Sequence, residues 1–347
     1  MIHDNADARS PLRARDLLTS LTLGATEEGK LAPFDSSALL LDTLLQPHLT
    51  PAENAFVRLH HDVVDSAFRS ARQGDLVRAK DCLLAASIAS TRGAPSERST
   101  QALCAFIQSA LAYISFKSGR HGEAAPQLQI AMSIDHRLVS EHGLLYFHCH
   151  RLHIAHNLLR VWLAEGRALD AAALADRAIQ YLLSRRQRVL PGFPRDLPRD
   201  LSCAAIHGHM LRLFAGELAF LLLEFDTGTD KSFCEQLDTF RIPSRACRDA
   251  IVRWWILSKR AHLSGRRLQA ARWRGKVLLA TQGRESHLWY AALAEACEVW
   301  RQFGDPDLPE LLETVQVRLS SFQSLSDRFK RRLGVRACAS HLEVPLA

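Results

Sequence analysis

The sequence lacks the patterns of a β-sheet protein. No segment alternates apolar and polar residues between Asn-Gly or Asp-Gly turns, whereas Ala, Leu, Arg, Glu and Gln fill the long segments. Sustained alternation is typical of half-buried strands, and the residue types that dominate here favour helices. We therefore predict an all-α protein.

Long apolar runs and disulfide patterns are also missing. No uninterrupted apolar run approaches the roughly 18 residues that a membrane span needs, and the first residues contain no apolar signal-peptide core. The eight cysteines are scattered without a Cys-x-x-Cys pair, which is typical of small buried residues in a reducing compartment. We therefore expect a cytoplasmic protein without a disulfide framework and without a membrane partner.

Motifs of the common enzyme classes are absent as well. There is no P-loop, no Rossmann glycine fingerprint, no His-Glu-x-x-His and no Gly-x-Ser-x-Gly. Their absence does not exclude catalysis, but it leaves an enzymatic function without support. We expect a binding protein that uses no cofactor.

Composition and start signals predict a series of helices. Thr50-Pro51 with Glu53, and Ser96 after Pro95, have the residue types that begin helices. The predicted helices are 11–23, 36–46, 51–73, 75–91, 95–118, 120–134, 137–165, 167–188, 197–225, 230–240, 243–264, 266–282, 285–303 and 307–333.

A short pattern recurs at four of the predicted breaks between helices. Each break has a glycine, an alanine five positions later and a small apolar residue seven positions after that. The glycines are Gly74, Gly119, Gly166 and Gly265. The first alanines are Ala79, Ala124, Ala171 and Ala270, and the later residues are Ala86, Ala131, Ala178 and Val277. Glycine can adopt the left-handed conformation that ends a helix, and alanines seven apart let the next helix pack closely.

These breaks resemble those of tetratricopeptide repeats, whose hairpins have a small residue at the start of the second helix and another one heptad later. The glycines are 45, 47 and 99 residues apart, compared with about 34 in that repeat. Units of this length are more similar to the solenoid domains of bacterial LuxR-type activators or peptide-sensing regulators. The resemblance covers about residues 51–333. It implies a right-handed α-α superhelix of antiparallel helical hairpins that presents a concave groove to a partner.

The predicted organisation has four parts. Residues 1–50 form an N-terminal helical cap, 51–190 a first set of repeats, 191–333 a second set with a basic face, and 334–347 a mobile tail. The proline-rich segment 185–200 interrupts the regularity, and we interpret it as a hinge or a lid.

Residues 146–156, YFHCHRLHIAH, contain four histidines and one cysteine. At ~100° per residue, Cys149, His153 and His156 share one helical face. A second Cys-x-x-x-His pair follows at Cys203 and His207, and two such pairs could together bind zinc. We favour an interpretation without metal, in which these side chains belong to the core or line the groove. The predicted groove residues are His153, His156, Asn157, Arg160, His207 and Arg212.

Basic residues cluster between Arg241 and Lys276, where eleven of them stand against a single acidic residue. Such a cluster can bind nucleic-acid phosphates or an acidic protein, or it can be a solvated face neutralised by glutamates of neighbouring helices. The predicted basic surface comprises Arg245, Arg248, Arg253, Lys259, Arg260, Arg266, Arg267, Arg272 and Arg274.

The sequence thus predicts a cytoplasmic tetratricopeptide-like scaffold that binds a peptide or protein in its groove. A regulatory or adaptor role is implied by the resemblance. The first alternative is a nucleic-acid-associated regulator that uses the 241–276 surface. The second is a metal-binding protein or enzyme that uses Cys149 with His153 and Cys203 with His207.

Overall fold

The computed structural model describes residues 11–24, 41–183, 193, 201–225, 236–280 and 287–321. These residues contain twelve α-helices and no strand, which confirms the all-α prediction. The helices are α1 (Ala14–Gly24), α2 (Pro51–Arg72), α3 (Leu76–Arg92), α4 (Glu97–Lys117), α5 (His121–His142), α6 (Leu145–Ala164), α7 (Ala168–Leu183), α8 (Leu201–Phe225), α9 (Ala250–Leu263), α10 (Arg267–Ala280), α11 (His287–Gln302) and α12 (Leu308–Ser321).

Most predicted helices agree with the structure to within a few residues, but two boundaries were wrong. The break predicted after residue 134 lies inside α5, which continues to His142 and ends at Gly143 with φ 68°. The helix predicted from residue 243 begins at Ala250. Asp249 caps it, because its carboxylate accepts hydrogen bonds from the N–H groups of Ile251 and Val252 at 3.0 Å each. The tail at 334–347 lies outside the described residues. So does the segment 185–200, except for Phe193.

The predicted start signals of α2 and α4 are capping residues in the structure. Thr50 and Glu53 form a reciprocal capping box at the start of α2, and Ser96 caps α4. Glu53 also accepts a hydrogen bond from Nε of Arg98 at 2.7 Å. The same carboxylate therefore satisfies the backbone at one helix start and binds the start of another.

The predicted glycine breaks all have the same backbone geometry. Gly74, Gly119, Gly166 and Gly265 have φ between 72° and 87°. In each break the N–H of the residue after the glycine donates to the carbonyl five positions earlier, at 2.8–2.9 Å. This is a Schellman ending, which satisfies carbonyls that the helix leaves free. Gly304, with φ 64°, has the same ending and was missed because Pro309 stands where the other breaks have alanine.

The small residues after each glycine pack as the pattern predicted. The four alanines at the fifth position are at most 2% exposed, and the residues seven positions later are fully buried. Small side chains at these positions let each second helix approach the first closely.

By their contacts, the residues divide into two compact units. The central unit lies within Leu31–Phe214, and the terminal unit combines Met1–Lys30 with Ala215–Ala347. In the central unit each helix from α2 to α6 packs against the next one along the chain, and α2 also packs against α4.

In the terminal unit the first helix packs against the last ones. Helix α1 contacts α10 and α12, and the Trp300 indole N–H donates to the Leu12 carbonyl at 3.1 Å. A Cβ atom added to Gly275 would lie 3.0 Å from Leu12, so this glycine permits close approach. Two of the predicted domain boundaries, near residues 190 and 333, lie outside the described residues.

Among the described residues, one helix is long and apolar enough to cross a membrane by length and composition. This segment, Ile206–Glu224 of α8, is 72% buried inside the protein over its most apolar window. Such burial is typical of the core helix of a folded protein.

Replacement of a hairpin glycine tests the backbone geometry. Gly166→Ala should lower the free energy of unfolding by about 1 kcal/mol, because an L-residue is strained at positive φ. No atom lies within 4 Å of the added Cβ, so a steric clash would not explain the loss. Urea denaturation measures the change.

Gly208→Ala is the matched control, because Gly208 lies inside α8 and also has no atom within 4 Å of an added Cβ. This substitution should raise the free energy of unfolding by about 0.5–1 kcal/mol. Equal effects of the two substitutions would contradict the assigned role of Gly166.

Candidate functional site

A cleft of about 130 Å³ opens between α4 and α6 in the central unit. Helix α4 supplies five of its lining residues, α5 one and α6 three. They are Ser109, Ala112, Tyr113, Phe116, Lys117, Leu128, Asn157, Arg160 and Val161.

The inner wall of the cleft belongs to the hydrophobic core. Ala112, Leu128 and Val161 are buried members of one apolar cluster shared by α4, α5 and α6. Tyr113 packs against Phe68 of α2 with ring centroids 5.5 Å apart. The wall is therefore held by several helices and presents a fixed apolar surface.

The outer side of the cleft is polar and cationic. Lys117, Asn157 and Arg160 are exposed lining residues, and Lys117 Nζ lies 6.0 Å from the centroid of the Tyr113 ring. No lining residue is acidic. The cleft therefore suits a ligand that joins an apolar group to an anionic one.

Two of the six predicted groove residues, Asn157 and Arg160, line this cleft. The other four do not: His156 and His207 are buried, His153 is half-buried, and Arg212 is an exposed residue of α8. Ser109, Tyr113 and Lys117 were missed. Their spacing of four residues places them on one face of α4, but that spacing alone does not identify α6 as the helix across the cleft.

The remaining predicted histidines and cysteines meet between α6 and α8. Cys149 Sγ lies 3.8 Å from Cys203 Sγ, and His207 Nε2 lies 3.3 Å from Nε2 of His148. The ring of His153 is 6.3 Å from that of His209.

These contacts pair cysteine with cysteine and histidine with histidine. Within the described residues, no group of three or more His, Cys, Asp or Glu side chains is placed to hold a metal ion. The four-ligand zinc arrangement considered for Cys149, His153, Cys203 and His207 is therefore not formed there.

Burial keeps this histidine cluster uncharged. It lowers the pKa of His148 to about 3, with the nearby His207 and Arg151 adding to the effect. Burial likewise lowers the pKa of His207 to about 4 and that of His153 to about 3. A neutral imidazole can donate from one nitrogen and accept at the other, so His148 and His207 can bond to each other without a charge.

The predicted basic surface in the terminal unit is smaller than the sequence indicated. Lys259 and Arg274 are buried, and both form ion pairs with the buried Glu295. Arg260 donates to the carbonyl groups of Phe240 and Ile242. The assignment of Lys259 and Arg274 to the surface was wrong, because a glutamate from α11 neutralises both.

The other predicted members of the basic surface are more accessible. Arg253 is half-buried, and the exposed ones are Arg245, Arg248, Arg266, Arg267 and Arg272.

The pKa shift of His148 predicts a loss of stability in acid. The unfolded chain binds a proton near pH 6.5, whereas the folded His148 binds one only near pH 3. The free energy of unfolding should therefore fall as the pH drops below 6.5, by up to about 2 kcal/mol at pH 5 from this residue. Urea denaturation at pH 7 and pH 5 measures the loss.

His148→Phe should reduce this loss by a similar amount, whereas His142→Gln, at an exposed position in the last turn of α5, should leave the loss unchanged. An unaltered pH dependence in His148→Phe would contradict the interpretation.

The buried ion pairs of Glu295 predict a large effect of its replacement. Burial raises the pKa of Glu295, but Lys259 and Arg274 outweigh this effect and hold it at about 2. Glu295→Gln leaves two buried cations without their carboxylate and should lower the free energy of unfolding by about 3 kcal/mol. The exposed control Glu310→Gln should change it by less than about 0.5 kcal/mol.

A triple variant provides the converse test. Glu295→Leu combined with Lys259→Met and Arg274→Met removes the buried charges together and should recover most of the loss. Failure to recover would show that packing, and not charge, determines the effect.

Comparison with known proteins finds no match: no family model, no curated protein and no solved structure matches the chain. The hairpin geometry and the cleft are therefore the observations from which a function is inferred.

Proposed function

We propose that the chain is a tetratricopeptide-like scaffold whose hairpins stack in a right-handed superhelix and whose cleft binds an acidic peptide segment of a partner protein. The observation that carries this proposal is the combination of two exposed cations and an amide with an apolar wall in one cleft. The shared Schellman endings and buried alanines support the repeat architecture.

Each side of the cleft has a role in this binding. Lys117 and Arg160 attract a carboxylate, and the guanidinium group of Arg160 can bind it through two parallel hydrogen bonds. The Asn157 amide can both donate to and accept from a peptide backbone. Tyr113 and Phe116 supply the surface for an apolar side chain.

The size of the cleft limits the ligand. Sites for drug-sized molecules have volumes of about 300–1,000 Å³, and this cleft holds about 130 Å³. It suits one or two side chains of a longer segment that continues outside it. A regulatory or adaptor role in the cytoplasm belongs to this proposal and is supported by the resemblance of the hairpins.

The nucleic-acid alternative is less well supported. Of the nine cations assigned to the basic surface, Lys259 and Arg274 are bound to Glu295 and Arg260 to two backbone carbonyls. The six that remain include the half-buried Arg253. Fewer available cations mean fewer phosphate contacts and weaker, less salt-dependent binding.

Selection from a random peptide library tests the cleft. The wild-type protein should enrich peptides that carry an Asp, a Glu or a terminal carboxylate beside an apolar residue. Their affinity, measured by fluorescence anisotropy, should fall with added salt because exposed charges are screened.

The double variant Lys117→Glu/Arg160→Glu should weaken binding of the selected peptides by at least about tenfold. Arg137→Glu is the matched control, because Arg137 is an exposed residue of α5 outside the cleft. Absence of acidic enrichment, or an equal loss in the control, would reject the proposal.

A further inference from the structure

Ser109 on the wall of the cleft lies in line with a histidine and an aspartate. Its Oγ is 3.4 Å from Nε2 of His150, and Nδ1 of His150 is 2.9 Å from the nearer carboxylate oxygen of Asp135. The three residues come from α4, α6 and α5. No local sequence pattern connects them, because they are 41 and 15 residues apart.

The surroundings of His150 define the role of each nitrogen. Asp135 is fully buried, and its carboxylate accepts a hydrogen bond from the Nδ1–H group of His150. This leaves the lone pair of Nε2 directed at the Ser109 hydroxyl. The rings of Phe106 and Phe147 pack edge-on against the imidazole, with centroids 5.4 Å and 6.1 Å away, and restrict its orientation.

We propose that the cleft is an acyl-transfer site in which Ser109 is the nucleophile, His150 the general base and Asp135 the residue that positions His150. A nucleophile, a base and a buried orienting carboxylate in this order are the elements that activate a serine in unrelated folds. The inference rests on the proposed function, because it uses the same cleft.

The cleft also indicates the class of substrate. Ser109 and Lys117 are eight residues apart on α4, which corresponds to about 12 Å along the helix. An ester whose carbonyl group lies at Ser109 and whose far end carries an anionic group at Lys117 and Arg160 fits this spacing.

The reaction uses water as its only co-reactant. Ser109 Oγ attacks the carbonyl carbon while its proton moves to His150 Nε2. The bond from that carbon to the ester oxygen breaks, the proton passes to the departing alcohol, and Ser109 is left acylated. Water then attacks the acyl group, gives one proton to His150, and the acid leaves as Ser109 recovers that proton.

The Ser109 hydroxyl has two possible acceptors for its proton, the Ala105 carbonyl and Nε2 of His150. It donates to the Ala105 carbonyl at 3.0 Å, a contact that helical serines commonly make, and rotation of the hydroxyl redirects it to His150.

A fluorophosphonate probe tests the nucleophile in the full chain. The probe should form a covalent phosphonyl adduct on Ser109, with loss of fluoride, which mass spectrometry of peptides locates. Ser109→Ala should abolish the adduct, and His150→Gln should slow its formation by about 100-fold or more. Ser133→Ala is the matched control, because Ser133 Oγ also donates to a backbone carbonyl of its own helix but is exposed.

Two further measurements keep the test decisive. Labelling of wild-type Ser109 should disappear in urea, so the result does not depend on whether His150→Gln folds. Adduct formation at Ser109 with the uncharged probe tests this inference, and enrichment of acidic peptides by the wild-type protein tests the proposed function, so the two can fail separately. Absence of a Ser109 adduct, or an adduct that forms equally fast in urea, would overturn the inference.

Discussion

The structure depends on the chain reversal at a glycine in the left-handed conformation. At that glycine the chain leaves one helix, and the next N–H returns to a carbonyl of the helix just completed. The reversal therefore satisfies its own backbone groups and starts each second helix in the same way. The alanine five positions later is buried in every break that has one, so the pairs of helices that these breaks join share one local geometry.

Close helix packing encloses polar side chains that must then bind one another. Asp135 pairs with His150, His148 with His207, and the buried Arg151 contacts His136 at 3.1 Å and the ring of Phe193 at 4.2 Å. A buried polar group is costly without a partner. Histidine is suited to such positions because it can be buried neutral and still both donate and accept.

The sequence was a good guide to the hairpins and a poor one to contacts between helices. Gly166 and Ala171 are five residues apart, so their relation could be predicted from local geometry. The pairing of Cys149 with Cys203 could not, because a helical face does not reveal the register of its neighbour. Asn157 and Arg160 were predicted from α6 alone. Lys117 was missed because the sequence does not reveal that α4 lies across the cleft from α6. Lys259 appeared to be a surface cation because its partner, Glu295, lies two helices further along the chain.

The cleft and the polar core meet at His150. One nitrogen of this residue faces Asp135, which is fully buried, and the other faces Ser109, which lines the cleft. The pairing that burial requires of Asp135 thus also sets the orientation of an imidazole at the wall of the cleft. His150 is therefore oriented as a proton acceptor by a residue of the core. The hydrogen bond between His150 and Asp135 stabilises the buried carboxylate, and it also directs Nε2 of His150 at Ser109.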